Sequence, residues 1–156
     1  MNLDQVVEKF LEYTESVRSL SRRTVDAYRR DLASFSSFLA GEEAGGARWE
    51  TLRAHEVRRF VSTLLRRGLA ESTVNRVLSS VKGFYGFCQK FEYTASNPFS
   101  SVRGVKGGRS LPEVMSEEET AGLLRLPKDD YLGTRDRALL ELLYSTGCRV
   151  SEVTAM

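Results

Sequence analysis

Between Leu3 and Phe91, apolar residues recur at helical spacing in four separate runs, and no stretch of the chain alternates convincingly with period two. Helices that bury one stripe each must pack on one another, so an all-α bundle is expected. The first run is Leu3, Val6, Val7, Phe10, Leu11 and Val17. Ser21 is placed to cap a second helix, whose stripe is Val25, Tyr28, Leu32, Phe35 and Leu39. Gly41 to Gly46 reads as a loop. A third helix carries Val57, Phe60, Val61, Leu64 and Leu65, and Gly68 suits its C-terminal stop. The fourth starts near Ser72 and carries Val74, Val77, Leu78, Val81, Phe84, Tyr85, Cys88 and Phe91, before Asn97-Pro98 breaks the pattern.

The remainder has a different texture. Residues 104–112 have the glycine-rich composition of a linker, which divides the chain into segments 1–103 and 113–156. Ser116 with Glu119 three residues on forms a capping box, opening a short helix through Leu123 and Leu124. Pro127 to Gly133 reads as a loop. Arg135 to Ser145 is apolar nearly all round, with Ala138, Leu139, Leu140, Leu142, Leu143 and Tyr144. Such a helix needs protein on every side. The 44 residues from Glu113 onward are too few to supply it. The chain stops one turn into a further helical pattern, so it reads as cut. Uncovered, those leucines are expected to drive dimerisation, or exchange of the helix between copies.

Composition removes several classes. No run of about 18 apolar residues exists, so no membrane span is expected. The N-terminus has no basic region leading into an apolar stretch, so it is no secretory signal. Cys88 and Cys148 sit among apolar neighbours; a disulfide between them is the alternative, but they read rather as packed free thiols, which points to a cytoplasmic setting. With one histidine and no Cys/His cluster, no metal site is expected. Residues 1–103 carry sixteen Lys and Arg against twelve Asp and Glu, and nearly all the bases are arginine. Arginine suits phosphate recognition, although a solvated helix surface has the same composition.

Opposite the apolar stripe of the fourth helix lie Ser72, Arg76, Ser79, Gly83, Gly86 and Lys90, with Asn75 and Lys82 flanking. Small side chains beside charge allow a phosphate to come close; the glycines equally admit a neighbouring helix. On the second helix Arg23 and Arg30 lie opposite Tyr28 and Leu32, with Arg22 and Arg29 flanking, and Asp26 is spaced to pair with Arg30. Arg58, Arg59, Arg66 and Arg67 of the third helix read as solvated surface. Arg149 follows at once on the break at Gly147 and precedes a Ser-Glu helix start. At such a junction an arginine either holds a phosphate or caps the carbonyls of the preceding helix.

Residues 135–152, Arg-Asp-Arg-Ala-Leu-Leu-Glu-Leu-Leu-Tyr-Ser-Thr-Gly-Cys-Arg-Val-Ser-Glu, closely resemble the first catalytic box of the tyrosine recombinases, or phage integrase family, in its Xer-type branch. The departure is Cys148, where a larger aliphatic residue is usual, in a slot that looks like core. Ser21-x-x-Thr24-x-x-x-Tyr28-x-x-Asp31-Leu32 and Ser72-Thr73-Val74-Asn75-Arg76-x-Leu78-Ser79 resemble the family's second- and fourth-helix patterns. Asn97-Pro98 and Leu111-Pro112 fall where the family places them.

The resemblance implies a core-binding, SAM-like bundle of four or five helices, a linker, and the first helices of a catalytic domain. It implies that the second and fourth helices approach the major groove. The DNA contacts would then come from Arg22, Arg23, Thr24, Arg29, Arg30, Ser72, Thr73, Asn75, Arg76, Ser79, Lys82 and Lys90. It implies that Arg149 is the first of two arginines gripping the scissile phosphate. In the family a tyrosine attacks that phosphate and forms a 3′-phosphotyrosine link, with no metal or nucleotide cofactor. The partners implied are double-stranded DNA and further protomers, as a tetramer on two duplexes, in chromosome dimer resolution or mobile-element integration. The family's lysine hairpin, His-x-x-Arg box and tyrosine fall beyond residue 156, so the chain as given is expected to be catalytically inert. Two other readings are a stand-alone, non-enzymatic helical DNA-binding protein and a helical protein-interaction module; the latter predicts no salt-dependent DNA affinity.

Overall fold

A computed structural model of the chain describes residues 2–41, 45–106 and 114–155. The described residues form helices and turns, with no strand. They fall into two compact units, Met1–Gly108 and Arg109–Met156.

The first unit is a bundle of α1 (Leu3–Ser16), α2 (Arg22–Ala40), α3 (Ala54–Arg66) and α4 (Glu71–Lys90), with a 3₁₀ turn at Trp49–Thr51. Each start has a local cause. The Asn2 side chain accepts from the Asp4 N–H, and Gln5 reaches back to the Asn2 N–H. Ser21 Oγ accepts from the Thr24 N–H at 3.3 Å. At Arg53 the backbone N–H donates to Glu56 at 2.6 Å. Gly68, at φ 72°, takes the left-handed position just past α3, where a Cβ would be strained.

The core is aromatic. Phe10, Phe35, Phe38, Phe60, Phe84, Tyr85 and Phe99 are each almost completely buried. Phe99 belongs to no helix. The Asn97 carboxamide accepts the Phe99 N–H at 3.0 Å, in a turn that drives the ring against Phe35, Phe60 and Tyr85. Tyr85 donates its hydroxyl to the Trp49 carbonyl at 2.7 Å, fixing the 3₁₀ turn to α4. Burial holds the Tyr85 phenol protonated, well above its usual range, and pushes the Cys88 thiol up to about 12.

Three stripe positions differ from the expectation. α1 ends at Ser16, which leaves Val17 as an exposed cap residue. Leu65 is exposed, and Thr63 takes a buried place on α3 instead. Phe91 lies just past α4 and is 45% exposed, while Phe87 is buried. In the loop after α2, Gly41, Gly45 and Gly46 are described and residues 42–44 lie outside the described residues. The segment 104–112 is described only as far as Lys106, and Val105 within it is tied to α4. Asn75 Nδ2 donates to the Val105 carbonyl at 2.9 Å, and the Val105 N–H returns a bond to Asn75 Oδ1 at 2.7 Å.

The second unit holds α5 (Glu117–Arg125), α6 (Tyr131–Thr146) and the four-residue α7 (Val150–Val153). The Ser116/Glu119 capping box forms, with bonds of 2.8 and 3.2 Å. Its hydrogen bonds hold the Glu119 carboxyl below the usual carboxylate range. α6 starts four residues earlier than the spacing predicts, at Tyr131. The Asp130 carboxylate accepts the Gly133 N–H at 2.7 Å, and a Cβ on Gly133 would lie 1.8 Å from the Lys128 carbonyl oxygen, so only glycine fits there. Among the described residues of this unit no apolar side chain is buried. Tyr144 and Cys148, both expected in a core, are exposed, because the unit presents nothing to cover them.

Candidate nucleic-acid interface

The expected contact residues divide by how their polar groups are already engaged. Arg22, Arg23 and Arg30 stand exposed on α2 with no ion pair or side-chain hydrogen bond among the described residues. The expected Asp26–Arg30 pair does not form. Thr24 is half-buried, and its hydroxyl lies 2.9 Å from that of Ser21. At the opening of α4, Ser72 is exposed and Thr73 half-buried, and neither side chain has a polar partner.

The other residues serve the bundle. Arg29 pairs with Glu8 of α1. Ser79 Oγ donates back to the Asn75 carbonyl at 2.9 Å. Asn75 spends its carboxamide on Val105. Lys82 donates to the Ser100 carbonyl at 3.0 Å, and its own carbonyl accepts from Asn97. Lys90 donates to the Tyr13 hydroxyl at 3.0 Å and lies over the Tyr13 and Phe91 rings.

Arg76 has the most consequential partner. Its Nη1 donates to both oxygens of Asp31, at 2.5 and 2.6 Å, and Ser80 Oγ donates to the same carboxylate at 2.7 Å. Asp31 is 3% exposed, so the contact ties α2 to α4 through a desolvated charge. The remaining edge of the guanidinium, Nε and Nη2, has no partner among the described residues, and about half of the side chain faces solvent. The sequence pattern contains Asp31, but its pairing with Arg76 was not expected. The signal was present: a carboxylate beside Leu32, within the apolar stripe, needs a cation from a neighbouring helix.

The two glycines of α4 differ in surroundings. A Cβ on Gly83 would touch only the Phe10 ring, at 4.0 Å, and one on Gly86 would meet nothing. Gly86 therefore admits no neighbouring helix here and leaves open backbone between Lys82 and Lys90.

In the second unit Gly147 ends α6 at φ 66°, its N–H bonding to the Leu143 carbonyl. Arg149 is the residue before α7. Its backbone N–H donates to Glu152 at 2.8 Å, and its Nη1 donates to the same carboxylate at 3.1 Å. It does not cap the preceding helix. The side chain is 82% exposed and touches no other polar group among the described residues. His55 lies in the first turn of α3, also exposed. No group of His, Cys, Asp and Glu among the described residues is arranged to hold a metal ion. No described helix is long and apolar enough to cross a membrane.

Comparison with known proteins bears on this arrangement. The sequence pattern of the phage integrase N-terminal SAM-like domain matches residues 7–90, which run from α1 through the last residue of α4. The chain is 39% identical over 150 residues to tyrosine recombinase XerC of Xanthomonas campestris pv. campestris, covering 96% of this chain and 46% of that protein. It is 36% identical over 156 residues to tyrosine recombinase XerC of Treponema denticola, covering 99% and 50%. With tyrosine recombinase XerC of Xylella fastidiosa it shares 38% over 154 residues, covering 99% and 52%. The chain spans about half the length of the curated relatives it matches. With four helices spanning the matched segment and Xer recombinases aligned along nearly its whole length, the chain belongs to the phage integrase family, through its N-terminal SAM-like domain.

Proposed function

We propose that the first unit is the duplex-DNA-binding part of a site-specific tyrosine recombinase, one that cuts and rejoins DNA through a 3′-phosphotyrosine intermediate. The observation that carries this reading is the set of unpartnered arginines on α2, Arg22, Arg23 and Arg30, in a domain of the phage integrase family. Their guanidinium forks are free to take phosphate oxygens, with Ser72 and Thr73 contributing hydroxyls from the start of α4. Arg76, Asn75, Lys82 and Lys90 act there with only the donors left over from their internal bonds. In this reading Gly104–Lys106 begins the connection to the catalytic part, and Arg149 supplies the first phosphate-gripping arginine of its site. Other protomers are the remaining partners, and the exposed Leu139 and Tyr144 of α6 favour association of copies.

The test is a salt titration of binding to a random duplex of about 30 base pairs, comparing the chain with its R22Q/R23Q/R30Q variant. Log K falls steeply with log salt for the unaltered chain, and the slope of the variant is shallower by roughly 0.9 for each phosphate that the variant no longer neutralises. An unchanged slope in a folded variant contradicts the assignment. The chain alone is expected to cleave no strand, since Arg149 touches only Glu152; cleavage of a cognate duplex contradicts that part.

A further inference from the structure

We infer that the outer face of α3 is a second, separate binding site for a phosphate backbone, built on Arg58, Arg59 and Ser62 with Arg103 beside them. The segment from Arg53 to Arg67 carries five arginines and a single carboxylate, Glu56. That carboxylate is spent at the helix start, where it accepts the Arg53 N–H at 2.6 Å. Arg58 and Arg59 are exposed and have no ion pair among the described residues, unlike Arg29, Arg48 and Arg76, which all pair with carboxylates.

The shape of the surface supports a ligand. Arg58 and Ser62 form a ridge between two hollows. One, of about 520 Å³, is also lined by Arg59 and His55. The other, of about 420 Å³, has Arg103 and Ser101 on its far wall. The Ser62 hydroxyl has no partner among the described residues, whereas Ser79 and Ser145 each bond back to the carbonyl four residues earlier. A free hydroxyl between unmatched guanidinium groups is a donor set for phosphate oxygens. No residue lining either hollow belongs to α2 or α4. Charge complementarity therefore points to nucleic-acid backbone here, at a place the α2 and α4 contacts do not use.

The α3 site takes duplex DNA as its ligand from the reading above, and the experiment separates the two. The ¹⁵N-labelled chain is titrated with a random duplex of about 12 base pairs. The amides of Arg58, Arg59 and Ser62 are expected to shift in a saturable way. The R58Q/R59Q variant is expected to lose those shifts, bind several-fold more weakly, and flatten the salt slope by roughly 1 to 2. R58K/R59K keeps the charge and retains most of the slope. Silent α3 amides beside shifting α2 and α4 amides overturn the α3 site and leave the α2 and α4 reading standing. Shifts on α3 alone do the reverse. No shift anywhere overturns both. Polyglutamate producing the same α3 shifts at equal charge overturns phosphate as the ligand, in favour of an acidic protein surface such as Glu117–Glu119 of a second copy.

Discussion

α4 and α6 are both rich in large apolar residues, yet they end in opposite situations. Val74, Val77, Val81, Phe84, Tyr85 and Cys88 of α4 are buried against α1, α2 and α3. α6 carries more leucine than any helix of the bundle, and none of its leucines is buried; Tyr131, Leu132 and Tyr144 are more than half exposed. Hydrophobicity states a demand for partners; the rest of the unit decides whether it is met. The first unit meets it with four amphipathic faces and a loop phenylalanine. The second has two short neighbours for α6 and buries only Gly133 among its described residues.

The two cysteines give the widest contrast. Cys148 is exposed, and Cys88 is buried with its thiol pushed up to about 12. Alkylation at neutral pH should modify Cys148 at once and Cys88 only on unfolding, orders of magnitude more slowly. Equal rates would erase the distinction between the units. The same raised value fixes a sign. A thiol whose folded value lies above its unfolded one contributes stability below the ordinary thiol range and loses it as pH rises towards about 12. The first unit should therefore weaken in alkali by this route.

Phe99→Ala is the next largest effect. The ring fills the space between Phe35, Phe60 and Tyr85, so its loss should cost the first unit about 3–5 kcal/mol in a urea melt. A cost under about 1 kcal/mol would mean the post-α4 segment is not part of the core.

Arg76→Ala should cost about 2 kcal/mol, because it leaves the buried Asp31 carboxylate with Ser80 alone. The cost should shrink when Asp31→Asn is present in the same chain, as a double-mutant cycle would record. For that reason Arg76→Ala is a poor probe of DNA contact on its own: weaker binding could come from a loosened α2–α4 tie. Arg22, Arg23 and Arg30 carry no such duty.

Ser116→Ala is the smallest of these changes, about 1 kcal/mol on α5, seen as lost helicity with no change in the melt of the first unit. Glu119, whose carboxyl is held below its ordinary range, adds an acid dependence. Its contribution is present above the unfolded carboxylate value and fades as pH falls through the lower folded one. Because the main bond to that carboxylate comes from the Ser116 backbone N–H, which Ser116→Ala keeps, the variant that tests this is Glu119→Gln; an acid response of α5 that survives it unchanged would remove the carboxylate as its cause.

Much of the bundle was legible in the sequence because stripes and caps are local. Ser21, Gly68, Asn97 and the Ser116/Glu119 pair act within a few residues, and each does so as its spacing suggests. What was not legible depends on residues far apart in the chain. Phe99 joins the core only because a turn aims it at the rings of Phe35 and Phe60, on two earlier helices, and Trp49 packs through a short 3₁₀ turn without periodicity. The interface was half legible for the same reason. Helical projection puts Asn75, Arg76, Lys82 and Lys90 on the outer side of α4, but not their bonds to Val105, Asp31, Ser100 and Tyr13. Those long-range partners separate donors held by the fold from donors open to a ligand.

Amide hydrogen exchange along the whole chain, with and without a random duplex at low salt, tests both the contrast between the units and the DNA-binding role of the bundle. α1 to α4 should exchange together through global opening, duplex should slow them further by stabilising the folded bundle, and α5 to α7 should exchange orders of magnitude faster in dilute solution. Strong protection of α6 at low protein concentration, or a bundle whose exchange ignores the duplex, would contradict these expectations.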